Sequence, residues 1–219
     1  MSMKQRLLAT PLMLGESISQ LGCGGDRCAM EMALALPLLQ FDVAGPERLF
    51  WHKTSSVMVG ELALAAGISA PFSFAVAEHN RATLMVAGGG VAEVLLGGQR
   101  LRNSADEPLL YLPGEAYRCS FHDPHGLTLS LPITGLASRA LTLAGQRGLR
   151  GLDLGVLQRP QLFEAQGDAG RLALLLRRTL GLIDSALRSQ QLAGSAAALE
   201  DTLMKQLCLL LYPELLQAS

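Results

Sequence analysis

"LLYLPGEAYRCSF", residues 109–121, decides the architecture. Leu109, Leu110, Tyr111 and Leu112 run into a Pro113-Gly114 corner, and alternation follows through Tyr117, Cys119 and Phe121. Proline fixes φ and glycine accepts the turn, so the stretch predicts two strands joined at a corner. A small β-barrel folds a strand back over its own mouth in this way. Tyr117 and Arg118 stand just beyond the corner.

Working outward, residues from about 55 to 132 carry nearly all the short alternating segments. "SVMVGELALAAG" (56–67) precedes "PFSFAVAEH" (71–79), in which Phe72, Phe74 and Val76 share one face. "RATLMVAGGG" (81–90) and "VAEVLLGGQRLRN" (91–103) come next, and "GLTLSLP" (126–132) closes the series. In that last segment Leu127, Leu129 and Leu131 alternate with Thr128 and Ser130, as a half-buried strand requires. Gly88-Gly89-Gly90, Gly97-Gly98 and "DPHG" (123–126) read as turns between strands. Six or seven short strands without helix-length separators predict an antiparallel barrel or sandwich, not a parallel α/β sheet.

Beyond Pro132 the texture changes. "TGLASRALTLAG" (134–145) predicts a short helix, and the glycine-rich stretch 146–170 predicts a connection. Two amphipathic helices follow. Leu172, Leu175, Leu176, Leu180, Ile183 and Leu187 form one stripe, and Leu199, Leu203, Leu207, Leu210 and Leu211 form another. Gly194 and Ser195 are read as the stop and N-cap between them, and Pro213 as the end of the second. Leu174, Leu182, Met204 and Cys208 lie off the stripes, so each helix is expected to be covered on two sides. One side would face the barrel; the other would face a partner helix or a second subunit. Leu172, Leu175, Leu176, Leu180, Ile183, Leu203 and Leu207 are the candidate dimerisation residues, with an intramolecular hairpin as the alternative. The fold class is thus α+β. Residues 1–145 hold an N-terminal segment and the barrel, and 146–219 the connection and helical pair, packed as one unit.

Hydrophobic residues make up 49% of the 219 positions, enough for a sizeable core. A net charge of -1 gives no general attraction for nucleic acid or anionic lipid. No apolar run approaches the ~20 residues that span a bilayer. The start, "MSMKQRLLATPLMLGESISQ", is broken by Thr10 and Pro11 and shows no small-residue cleavage site. It is read as a mature cytoplasmic N-terminus. Four cysteines in a chain this long make no disulfide framework. Cys23 and Cys28 lack the two further ligands of a tetrahedral metal site, so all four are read as reduced thiols.

The candidate small-molecule ligands are few. Trp51 and His52 precede Lys53 and could line a small pocket, which mixes apolar walls with a few polar anchors. The alternative is a core tryptophan. His79 and Arg81 form a polar cluster at a strand edge, and Tyr117 offers an amphipathic ring past the corner. His122 and His125, spaced H-x-x-H, fall on the predicted turn in "FHDPHG" (121–126), without a carboxylate and a third ligand on adjacent strands, and are read as solvated loop residues. The glycines of "AGGGVAEVLLGG" lead into an alternating segment, not a helix N-terminus, so they are no phosphate cradle. No G-x-S-x-G elbow occurs. The C-terminal helices mix Arg171, Arg177, Arg178, Arg188 and Lys205 with Asp184, Glu200, Asp201 and Glu214, a solvated face without a basic recognition helix.

A β-rich stretch ending "LLYLPGEAYRCSF…GLTLSLP", then "GLASRALTLAG", a loop and two leucine-rich helices: this order resembles the N-terminal regulatory domain of AraC-type transcriptional regulators. The resemblance covers roughly residues 50–215 and rests on order and texture. It implies a cupin-like barrel that holds a small effector or contacts a partner, and helices that form a homodimer. It also implies that DNA is read by a separate C-terminal helix-turn-helix domain, which these residues lack; the expectation is an excised regulatory domain. Metal-dependent cupins converge histidines and a carboxylate inside the barrel, often with a histidine just past such a corner, where this chain has Tyr117 and Arg118. The expectation is therefore no catalysis, metal or cofactor. The alternatives are a metal-dependent cupin enzyme using His79, His122 and His125, and an interaction domain whose barrel is filled by its own side chains.

Overall fold

The computed structural model describes residues 2–217. Ten antiparallel strands form its sheet. They are β1 (Gln20–Cys23), β2 (Leu38–Val43), β3 (Trp51–Val59), β4 (Leu62–Ser69) and β5 (Phe72–Val76). β6 (Arg81–Leu96), β7 (Gln99–Asn103), β8 (Leu109–Leu112), β9 (Tyr117–Pro132) and β10 (Gln161–Phe163) complete it.

Two of the expected turns are not turns. Gly88-Gly89-Gly90 lies inside β6 and "DPHG" inside β9, and each strand runs for 16 residues. The two signals lie opposite one another, with Gly89 beside His125 and register shifts on either side of it. Gly90 has φ of 70°, and a Cβ there would sit 2.1 Å from the Asp123 carbonyl oxygen. Only glycine permits that approach, so the triplet bends the β6–β9 ladder rather than ending it.

The bend distributes one ladder between two walls. Residues 125–130 of β9 pair with β4, and 117–121 pair with β5, while β6 accompanies both halves. Within the one ten-stranded sheet, the path β1-β3-β4-β9-β6-β8-β10 makes the first wall, called the first sheet below, and β2, β5 and β7 branch from β9 and β6 to make the second. Together they enclose the barrel.

Six helices occur among the described residues: α1 (Met3–Ala9), α2 (Gly25–Met32), α3 (Ile133–Gln146), α4 (Gly167–Arg188), α5 (Leu192–Leu211) and α6 (Glu214–Gln217). Gly194 and Ser195 do not separate α4 from α5. The break falls earlier, at residues 189–191, where Gln190 adopts φ of 58°. Ser195 lies inside α5, and its hydroxyl donates back to the Gln191 carbonyl at 3.1 Å. The connection holds a strand too: β10 pairs with β8, and the Tyr111 hydroxyl donates to the Leu157 carbonyl at 2.9 Å. No helix among the described residues is long and apolar enough to cross a membrane.

The first sheet is covered on its outer face by α3, α4 and α5. Leu64, Leu84, Leu129 and Tyr111 from the sheet share one apolar cluster with Leu136, Leu180, Ile183, Leu203 and Leu207. Leu172 and Leu176 belong to it as well, so six of the seven candidate dimerisation residues are buried within a single chain. Leu175 remains 43% exposed. A second cluster lies within the barrel, around Phe72, Phe74, Val94, Leu112 and Tyr117.

Candidate functional site

Side chains alternate across the first sheet, and its two faces differ in size. Outward lies the row Val57, Leu64, Leu129, Leu84, Tyr111. Inward lies the neighbouring row Ser56, Ala65, Thr128, Met85, Leu110. The next inward row is shorter still: Thr54, Gly67, Gly126, Ala87. Two facing sheets stand ~10 Å apart, a gap that side chains of this size do not fill. A cavity of about 360 Å³ results, within the size range of small-molecule sites.

Aromatic rings form the opposite wall. Phe72 stacks on Phe121 with centroids 5.0 Å apart, and Phe74 lies 5.9 Å from Phe121. Arg81, at the start of β6, donates from Nε to the Ser130 hydroxyl at 2.8 Å and from Nη2 to the Glu61 and Ser130 carbonyls, tying β6 to β9 and to the β3–β4 turn. α2 contributes Cys28, Glu31 and Met32 to the wall. Gly25 N donates to Glu47 Oε2 at 2.5 Å, and Gly24 N donates to the Phe50 carbonyl, which fixes the start of α2.

Glu31 marks a polar corner in this largely apolar space. The Thr54 hydroxyl donates to Glu31 Oε2, Arg27 Nε lies 3.3 Å from Oε1, and His52 Nδ1 lies 3.6 Å from Oε2. His52 is 0% exposed, and neither ring nitrogen has a hydrogen-bond partner among the described residues. Burial lowers its pKa; the Glu31 carboxylate opposes that shift and the Arg27 guanidinium adds to it. Backbone space is tight behind the ring, because a Cβ on Gly22 would meet His52 Nε2 at 2.3 Å. The Cys28 thiol is pushed up to about 12 by burial and by Glu31, so it is a neutral wall group rather than a nucleophile.

None of the five sequence-predicted ligand residues lines the cavity. Trp51 packs on the helix-side cluster beneath Lys4, whose Nζ lies 4.9 Å from the ring centroid. His52 stands behind Glu31. His79 Nδ1 accepts from Arg81 N at 3.1 Å, and the His79 backbone N–H donates to the Gly114 carbonyl at 2.7 Å. The Pro-Gly corner is thus packed against the β5–β6 link. Tyr117 is 3% exposed and lies edge-on to Phe74 in the barrel core, so it does not furnish a mouth. Arg118 is exposed.

His125 is in the cavity wall and His122 is exposed, while His79 lies beyond the Arg81 end of β6. These three do not converge, and no group of three His, Cys, Asp or Glu side chains among the described residues is arranged to hold a metal ion. The residues that do shape the site, Glu31, Thr54, Ala65 and Gly67, were missed from sequence. "LALAAGIS" carried a signal for two of them, since its leucines alternate with Ala63, Ala65 and Gly67.

No family model matches the chain, and none of the curated proteins matches it. Among solved structures, the AraC-like transcriptional activator CuxR superposes with a TM-score of 0.60 at 14% identity, covering 83% of this chain and 63% of the activator. This chain therefore spans less than two thirds of the activator's length. A cupin 2 conserved barrel domain protein from Salinispora arenicola CNS-205 aligns over 42% of this chain and 84% of its own, at 17% identity and a TM-score of 0.30. The Schizosaccharomyces pombe Cnp3 cupin domain aligns over 46% of this chain and 74% of its own, at 16% identity and 0.31. The fold is the expected one, an antiparallel cupin-like barrel followed by helices, and it is shared with an AraC-like activator.

Proposed function

We propose that this chain is the regulatory sensing and dimerisation unit of an AraC-type transcription regulator, acting in the cytoplasm. It would hold a small effector in its barrel and pair with a second copy through its helices. Contact with DNA belongs, in this reading, to a separate helix-turn-helix domain. The observation that carries the reading is the unfilled 360 Å³ cavity, enclosed by the barrel and bordered by α2. A scaffold that only presented a surface would gain stability by filling it. The likeness to an AraC-like activator extends beyond the barrel into the helices, which supports the same reading.

The helices offer a face for pairing. The inner stripe, Leu172, Leu176, Leu180, Ile183, Leu203 and Leu207, holds them on the barrel. Outside it, Leu174 is 53% and Leu182 is 60% exposed, with Leu175 beside them. Residues 174 and 182 are two helical steps of four apart and share a face. The dimerisation role expected of the whole stripe thus narrows to Leu174, Leu175 and Leu182. Leu182→Asp should convert a dimer to a monomer in light scattering while leaving the melting temperature of the monomer nearly unchanged. A wild-type chain that stays monomeric at high concentration defeats the pairing element.

The reading is non-catalytic and needs no metal. Thermal-shift screening of metabolites tests it, because a ligand selective for the native state raises the melting temperature. Stoichiometric iron, manganese or zinc in the purified protein would turn the reading toward a metal-dependent enzyme.

A further inference from the structure

We infer that the cavity selects a small arylalkyl amine, an aromatic ring on a short linker to an ammonium group. This rests on the sensing reading and gives its effector a chemical class. Charge is the first argument. Among the described residues lining the cavity, Glu31 is the one Asp, Glu, Lys or Arg. Nearby cations are committed elsewhere: Lys53 donates to Glu16 and the Thr10 carbonyl, and Arg81 to Ser130 and Glu61. Arg27 reaches Glu31 from a half-exposed position, where water screens its charge. An anionic ligand would meet Glu31 with no cation in the wall to receive it. An ammonium group would be paired.

Shape is the second argument. Phe72, Phe74 and Phe121 present their rings in one wall, with Phe72 and Phe121 stacked at 5.0 Å. Such rings favour a stacked aromatic partner and attract a cation by their electron-rich faces. The wall's other polar groups include the uncharged Gln20, Ser56, Thr128 and Asn103, which serve as hydrogen-bond partners, and His125, whose pKa burial lowers. His52 stands behind the carboxylate, its Nδ1 3.6 Å from Oε2, with burial lowering its pKa.

Three probes of one size separate the possibilities: 2-phenylethylamine, 2-phenylethanol and 3-phenylpropanoate. Each is titrated into the whole chain by calorimetry and thermal shift. The amine should bind most tightly and 3-phenylpropanoate least. Glu31→Gln should weaken the amine by about tenfold or more and leave 2-phenylethanol unchanged, since it removes the charge and keeps a polar group. Should Glu31→Gln fold poorly, Ala65→Leu leaves Glu31 intact and fills the space; it should abolish amine binding. Tighter binding of 3-phenylpropanoate, or equal binding of all three, overturns the amine class while the sensing reading stands. If none of the three binds, the amine class is overturned, and if a broad metabolite library also fails to bind, the sensing reading falls with it.

Discussion

One strand carries the contrast on which the molecule is built. On β9, Leu127, Leu129 and Leu131 enter the core shared with α3, α4 and α5. Thr128, one residue away from two of them, faces the barrel and borders empty space. The same holds on β4, where Ala65 and Ala66 both border the cavity but only Ala66, 2% exposed, belongs to the cluster shared with the helices, while Ala65 lies in the inward row and is partly open. The sheet is sealed on one side and hollow on the other. Stability is concentrated where the leucines interlock, and the hollow side is free to be shaped for a ligand.

The largest expected effect is at the sealed face. Leu129→Ala removes a side chain that is 1% exposed and leaves a void between sheet and helices. Chemical denaturation should show a loss of about 2–5 kcal/mol. Thr128→Ala, on the hollow face, should cost about 1 kcal/mol or less. Equal losses would mean that the two faces are packed alike. Ala66→Val is the reverse insult: two methyl groups forced into a filled layer should cost about 1–3 kcal/mol.

The hollow face has its own vulnerability at His52, which pairs with Gly22 and Ser69 at the end of the inward rows. Its pKa in the folded chain is lowered, with burial the main cause. The unfolded chain therefore takes up a proton first as the pH falls. Stability is full above about pH 6.5, the ordinary histidine value, and is lost as the pH drops below it. The slope from this one group is at most about 1.4 kcal/mol per pH unit. His79 and His125 shift in the same direction, each chiefly through burial, and should steepen it. Denaturant midpoints measured from pH 7.5 to 5.0 should decline, and His52→Gln should flatten the decline. A flat wild-type profile would place His52 in water.

These two faces were unequally legible in the sequence. The leucine rows and the helical stripes repeat at fixed periods, so the barrel, α3 and the C-terminal pair could be read directly. The bend could not. Glycine triplets and "DPHG" have the composition of turns, and only the pairing of Gly89 with His125 across two strands shows that they mark a kink. β10 is three residues long and gains its place by pairing with β8, a contact across some 50 positions that no local pattern announces. The site was hidden for a related reason. A cavity is written in what is missing, and Ala65, Gly67 and Gly126 attract no attention beside Trp51 or His79. Glu31 lies in a segment without strand alternation, and only the packing of α2 sets it beside Thr54.

The smallest expected change is the sharpest test of the contrast. Ala65→Val adds the same two methyl groups as Ala66→Val, one residue along the same strand. At position 65 they enter open volume, meet no opposing layer and should shift the stability of the ligand-free protein by no more than about 0.5 kcal/mol. Ligand affinity should respond instead, because the added methyls occupy space that a bound molecule needs. The pair thus separates folding from recognition by a single register step. A cost at 65 as large as that at 66 would show that the inward row is packed, and with it would go the cavity on which recognition depends.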